Sequence, residues 1–249
     1  MNRLPLSILG AFALGCFATT CSASEFARSA NFVVLAEDAQ LAHDVLTQAE
    51  RYRREIAESW LGESLPEGVG AAMINVRISA DEEQGLTWPT RPDAARRYHR
   101  VWVTTASRQD AVGPVLKHEL THVLLATWMP DQLPPWADEG AASLYDDAER
   151  AAMRRKTVAW FARSGNWPRL AHVLTEQTIT ADELAAYTIA ASLTEFLLSR
   201  ADRPTFLRFA AEGRRKGWDH ALQSHYKISD VDALQRAWRQ WASSSIAAE

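Results

Sequence analysis

The chain has 249 residues, of which 47% are hydrophobic and 23% charged, an ordinary globular composition at a length that suits one large domain or two small ones. Lys and Arg number 27 against 31 Asp and Glu, a net charge of −4, a balance that does not suggest a nucleic-acid partner. Both cysteines, Cys16 and Cys21, stand near the N-terminus, so the remaining chain is long enough to bury a core without disulfide staples.

Arg3 is followed by an apolar run from Leu4 to about Phe17, broken by Pro5 and Ser7, and then by small residues from Ala18 to Ser24. This pattern reads as a secretory signal peptide over residues 1–23, cleaved after Ala23. The run is too short to span a bilayer comfortably. Lipidation at Cys16, after Ala13-Leu14-Gly15, and an uncleaved anchor are the alternatives. Cleavage after Ala23 would remove both cysteines and one basic residue. The expected mature chain thus has a net charge of −5, no disulfide and no stable membrane span, and is exported to the periplasm or secreted.

Ser24 to Asn31 reads as a loose leader and Phe32 to Leu35 as a short strand. Leu41, Val45, Ala49, Tyr52, Ile56 and Trp60 recur at helical spacing, and Gly62 marks the stop. Ala72 to Ser79 alternates as a strand, Asp81 to Asp93 reads as a charged loop, and Tyr98 to Thr105 is rich in β-favouring residues. Pro114 suits the first turn of a helix that runs to about Trp128 and stops before Pro130. Pro134-Pro135 starts another, expected to continue from Trp136 towards Arg155. Thr180-Ala181-Asp182-Glu183 has capping-box spacing for a helix to Leu198. Pro204 opens the next, and Ser229 and Asp232 open a last one holding Leu234, Trp238 and Trp241. The expectation is an α+β domain over residues 30–245, with a small N-terminal sheet and a mainly helical C-terminal part.

The candidate chemistry lies in His118-Glu119-Leu120-Thr121-His122. Positions four apart share one helix face, so both imidazoles can reach one zinc ion at about 2.0–2.1 Å. Glu119 sits beside them, placed for a water molecule rather than for the metal. A catalytic zinc takes a third protein ligand. Glu139 is the candidate, because the proline-containing link from Pro130 to Pro135 reverses the chain and a second helix can present it. Asp138, the competitor, would point about 100° away. Gly140 would let the two helices approach closely.

These residues resemble a known family. The His-Glu-Leu-Thr-His helix, Leu133-Pro-Pro-Trp136, Glu139-Gly140 and the small residues after them are similar to the gluzincin zinc metallopeptidases, most of all the peptidase MA-like domains of bacterial exported proteins. The likeness extends over Val101 to Trp241, through Ala186-Tyr187, Ala191-Ser192-Leu193 and the segment from Asp232 to Trp241. It implies a gluzincin-like domain with its sheet packed on the HExxH helix, and one catalytic Zn2+ held by His118, His122 and Glu139. It implies peptide-bond hydrolysis by a metal-activated water with Glu119 as general base, on an extracytoplasmic protein or peptide. Tyr187 would be an oxyanion donor, and Ser143 would stand where an acid often orients the imidazoles. The strand from Val101 to Thr104 would edge the cleft and pair with an extended peptide. The alternative function is a non-catalytic, zinc-containing protein of the cell envelope that binds peptides or partners.

Other residues carry less. His43 falls on the polar side of its helix. His99 could line the cleft, though packing suffices to explain it, and His172, His220 and His225 lack ligand spacing. Arg96-Arg97 and Arg214-Arg215-Lys216 read as solvated faces. Trp88, Trp128, Trp136 and Trp167 flank loops, where either packing or a cleft would use them.

Overall fold

The computed structural model describes residues 24–81, 84–93, 96–179 and 184–247, without the side chains of 88–98 and 245–247. Residues 1–23, read as a signal peptide, and Thr180 to Glu183, read as a capping box, lie outside the described residues. Strands β1 (Glu25–Arg28), β2 (Phe32–Ala36), β3 (Ala72–Ile78), β4 (Gln84–Asp93) and β5 (Arg96–Thr105) form one mixed sheet in the order β1-β2-β3-β5-β4. β3 runs parallel to β2 and to β5, whereas β1 and β4 lie antiparallel at the two edges.

The sheet departs from the sequence expectation in three places. The presumed leader contains β1, with Glu25 opposite Ala36 and Arg28 opposite Val33. Most of β1 is exposed, so no alternating burial marks it and its ladder hydrogen bonds hold it instead. The presumed loop from Asp81 to Asp93 contains β4, which pairs Gln84 with Thr104 and Leu86 with Trp102. Gly85, Pro89 and Pro92 weaken its strand signal, but an edge strand tolerates proline. Consequently the strand from Val101 to Thr104 is paired on both sides, and β4 is the edge.

Helix α1 (Ala39–Leu61) lies on the inner face of the sheet. Asp38 accepts a hydrogen bond from the Leu41 amide, and Gly62 ends the helix at φ 75°, a conformation that costs glycine no side-chain clash. Leu41, Val45, Ile56 and Trp60 are fully buried with Phe32, Val34, Ile74 and Val101 from the sheet. After the short α2 (Arg108–Ala111) comes α3 (Pro114–Trp128), which packs on α1, β4 and β5.

The helix expected from Trp136 to Arg155 is instead broken. α4 (Pro135–Ala142) passes into a 3-10 turn (Ser143–Tyr145), Asp146 is extended, and Asp147 caps α5 (Ala148–Ser164) by accepting from the Arg150 amide. An aspartate before a helix competes for backbone donors, and here two adjacent ones reset the chain direction. The remainder is α6 (Leu170–Thr175), α7 (Leu184–Leu198), α8 (Arg203–Lys216), α9 (Trp218–Tyr226) and α10 (Val231–Ala247). Asp230, rather than Ser229 or Asp232, accepts from the Ala233 amide at the start of α10.

Trp136 is fully buried among Phe206, Phe209 and Trp218, so it is core and not cleft. One cluster of buried apolar residues runs from Phe32 to Trp238, joining sheet and helices. The protein is therefore α+β, a small mixed sheet followed by a mostly helical remainder. Among the described residues no helix is long and apolar enough to cross a membrane.

Candidate metal centre

α3 is buried along most of its length, including His118 and Glu119. His118 and His122 lie one turn apart with their Nε2 atoms 3.2 Å from each other. The turn through Pro130 to Pro135 brings α4 back across α3. Glu139 Oε2 then stands 3.6 Å from His122 Nε2 and 3.9 Å from His118 Nε2. Three ligands about 2.0–2.1 Å from one tetrahedral ion lie roughly 3.4 Å apart, a spacing that these separations bracket.

The other ring nitrogen of each histidine meets a carboxylate. Asp138 Oδ2 is 2.9 Å from His122 Nδ1, and Asp146 Oδ1 is 2.8 Å from His118 Nδ1. Because an ionised carboxylate only accepts, each Nδ1 donates. In their neutral form the rings would turn two Nε2 lone pairs towards each other, with a carboxylate oxygen opposite. Glu139 Oε2 is itself buried without a hydrogen-bond partner among the described residues. Such a constellation is repulsive until a cation enters it, and two imidazoles with a carboxylate suit zinc.

Electrostatics point the same way. Burial opposes a charge on His122, but Asp138 and Glu139, the hydrogen bond to Asp138, and Glu119 outweigh it and hold its pKa well above the usual histidine range. Burial would raise the Asp146 pKa, yet His118 and Arg154 bring it below the usual carboxylate range. A guanidinium nitrogen of Arg154 binds the second oxygen of Asp146, and another donates to the Ser143 carbonyl at 2.9 Å.

The orienting role expected of Ser143 thus falls to Asp146. The Ser143 hydroxyl is buried with no hydrogen-bond partner among the described residues, and only its carbonyl joins the network. The broken helix is the reason: it swings Asp146 onto His118, where a continuous helix would have carried it past. Asp138 stays outside the candidate ligand group and meets the Nδ1 side of His122 instead.

Glu119 is held by the edge strand. Thr87 Oγ1 donates to Glu119 Oε2 at 2.6 Å, which aims the carboxylate along β4. A Cβ on Gly85 would overlap that carboxylate, so only glycine permits this approach. Neither residue has a sequence signal while its segment reads as a loop. Once β4 is paired, Gly85 and Thr87 alternate onto the inner face opposite Val103 and Val101.

Tyr187, on α7, has its hydroxyl 3.2 Å from His118 Nε2 and its ring stacked over the imidazole with 8° between planes. Burial first, then the charge of Glu139 and a hydrogen bond to it, and then the charges of Asp146 and Glu119 push its pKa far up, so it stays a protonated donor. Gly140 does permit a close approach, but to α7 rather than α3. A side chain there would overlap the Thr194 hydroxyl and the Ala190 carbonyl. α4 and α7 pack closely together, and Tyr187, on α7, reaches His118.

These residues line a cavity of about 440 Å³ walled by Gly85, Leu86 and Thr87 on one side. His99 is buried and also lines it. His43 is exposed, and His220 and His225 both bind Glu212 instead. The chain matches no protein-family model, and no curated protein matches it.

Proposed function

We propose that this protein is a zinc-dependent peptide hydrolase of the gluzincin type, a single metallopeptidase domain acting on an extracytoplasmic protein or peptide. One observation carries the reading. Two imidazole Nε2 atoms and a Glu139 oxygen converge at ligand spacing, with Glu119 beside them and outside the ligand set.

His118, His122 and Glu139 would hold the ion, which supplies Lewis acidity towards water and a carbonyl oxygen. Glu119, steadied by Thr87, takes a proton from the attacking water and passes it to the leaving amine. The Tyr187 hydroxyl, kept protonated by its surroundings, donates to the carbonyl oxygen as negative charge develops there. Among the described residues β4 is an edge strand, and its Gly85–Thr87 stretch lines the cavity, where an extended peptide can pair as an added strand. Asp138 and Asp146 hold the two rings in the tautomer that leaves Nε2 free to ligate.

The test is cleavage of a diverse peptide mixture by the zinc-loaded chain, read by mass spectrometry beside a Glu119→Gln variant and a chelated sample. Cleavage that disappears in both controls supports the reading. One zinc per chain with no cleavage would favour the peptide-binding alternative, and failure to bind zinc would sink both.

A further inference from the structure

We infer that the outer face of the sheet docks on an anionic lipid bilayer and makes this a peripheral membrane protein. α1 and α3 pack on the inner face, where Phe32, Val34, Ile74 and Val101 are buried. Strand alternation turns the residues between these outwards. A solvated sheet face carries polar side chains, and this one does not.

Strand register lines the outward residues up. Phe26, Leu35, Asn75, Trp102 and Leu86 are successive partners from β1 to β4, one row across all five strands. At about 4.8 Å per strand spacing the row is about 19 Å long. Phe26 is 66% exposed, Trp102 46% and Leu86 45%. The next row holds Arg28, Val33, Met73 and Arg100, with Met73 39% exposed. The row on the other side holds Arg77, Thr104 and Gln84. Arg28, Arg77 and Arg100 are all exposed, so cations flank the apolar row on both sides.

Charge selects the occupant. The described strand residues that face outwards include these arginines and no carboxylate, although the whole chain has a net charge of −4. Glu37, at the rim, is drawn to Arg108 at 3.2 Å. A second copy stacked on this face would set arginine against arginine. An acidic peptide would need a groove, and the cavity beside Arg77 and Trp102 holds only about 260 Å³. An anionic bilayer meets both features: its headgroup phosphates take the arginines, and its interfacial layer takes tryptophan and the apolar row. Ser24 lines the same cavity, so the apolar stretch Leu4 to Phe17 joins the fold on this side. Gly85 and Thr87 turn the other way, towards Glu119, so docking here does not compete with the metal ligands.

The experiment is co-sedimentation of the chain from Ser24 onward, the form expected after cleavage, so that the N-terminal apolar stretch cannot itself carry binding. Vesicles of equimolar phosphatidylglycerol and phosphatidylcholine are compared with phosphatidylcholine alone. The expected result is partition at least about tenfold stronger into the anionic vesicles, weakening as salt is raised. A basic side chain at an anionic surface is worth about fivefold, so Arg28→Gln with Arg100→Gln should weaken partition about 25-fold. Trp102→Ala should weaken it about tenfold. Trp160→Ala, at a 51% exposed position on α5, should leave it within about twofold. With bromine-labelled lipid, wild-type tryptophan emission should be quenched, and Trp102→Phe should bind yet lose most of that quenching; this readout stands even if the arginine pair fails to fold. Partition that is absent, equal for both vesicles, or moved no more by the face variants than by Trp160→Ala overturns the proposal. Arginine-dependent capture of poly-glutamate without vesicle binding also overturns it and assigns the face to an acidic protein.

Discussion

Asp146 Oδ1 lies 2.8 Å from His118 Nδ1, and its other oxygen is held by Arg154, so a buried ion pair stands directly behind one candidate metal ligand. Asp146→Asn keeps the shape but weakens the acceptor and can reverse the ring's tautomer. Zinc affinity should fall about 10- to 100-fold, measured by competition with a chromophoric chelator. An unchanged affinity would remove Asp146 from the site.

Gly85→Ala tests the edge strand. The new Cβ must displace the Glu119 carboxylate or push β4 away. The expected outcome is a fall in peptide-hydrolysis kcat of about 100-fold or more, the scale of a lost general base, with one zinc per chain retained. Loss of zinc as well would mean that the damage reaches α3 as a whole.

Tyr187→Phe removes a hydroxyl and keeps the ring stacked on His118. If that hydroxyl serves the developing oxyanion, kcat should drop about 100- to 1,000-fold with little change in KM. A drop confined to KM would assign Tyr187 to substrate binding.

Gly140→Ala forces α4 off α7, against the Thr194 hydroxyl and the Ala190 carbonyl. Overpacking of this kind costs about 1–3 kcal/mol, visible in thermal or denaturant unfolding. Zinc affinity should fall too, because Glu139 is the preceding residue.

Glu212, on α8, gives a pH signature that does not involve the candidate ligands. Its hydrogen bond with Lys216, at 2.8 Å, and that with His225, at 2.7 Å, lead the contacts that draw its pKa down to about 2. A carboxyl depressed on folding adds stability above its unfolded pKa of about 4.3 and loses it as pH falls towards 2. Glu212→Gln should therefore lower Tm at neutral pH, by an amount that shrinks below about pH 4.3 and vanishes near 2. A difference that grew with acid would contradict the assignment.

Sequence pattern made some of this architecture legible. The stripe from Leu41 to Trp60 could only bury one face, and α1 does so. The His118–His122 spacing and the prolines before Trp136 likewise place the three ligand candidates, because helix periodicity and proline geometry are local. β1 and β4 escaped, since edge strands are half-solvated and β4 carries glycine and prolines. Asp146 escaped for another reason: its role depends on a helix break at two adjacent aspartates, while residues 136–155 read as one helix. Gly85 and Thr87 acquire meaning only through pairing with β5, which no local pattern reveals.

The break at Asp146 also compresses the centre along the chain. Both imidazoles, the carboxylate behind each, and Glu139 all fall within residues 118–146. Closing short loops costs little conformational entropy, so the candidate ligand set assembles across short loops, while Thr87 and Tyr187 arrive from distant parts of the chain. Under the proposed function, holding the ion and activating water would therefore draw on different parts of the fold. On that reading, a chain whose β4 edge has loosened would still hold metal, and long-range strand pairing would govern whether that metal is put to use.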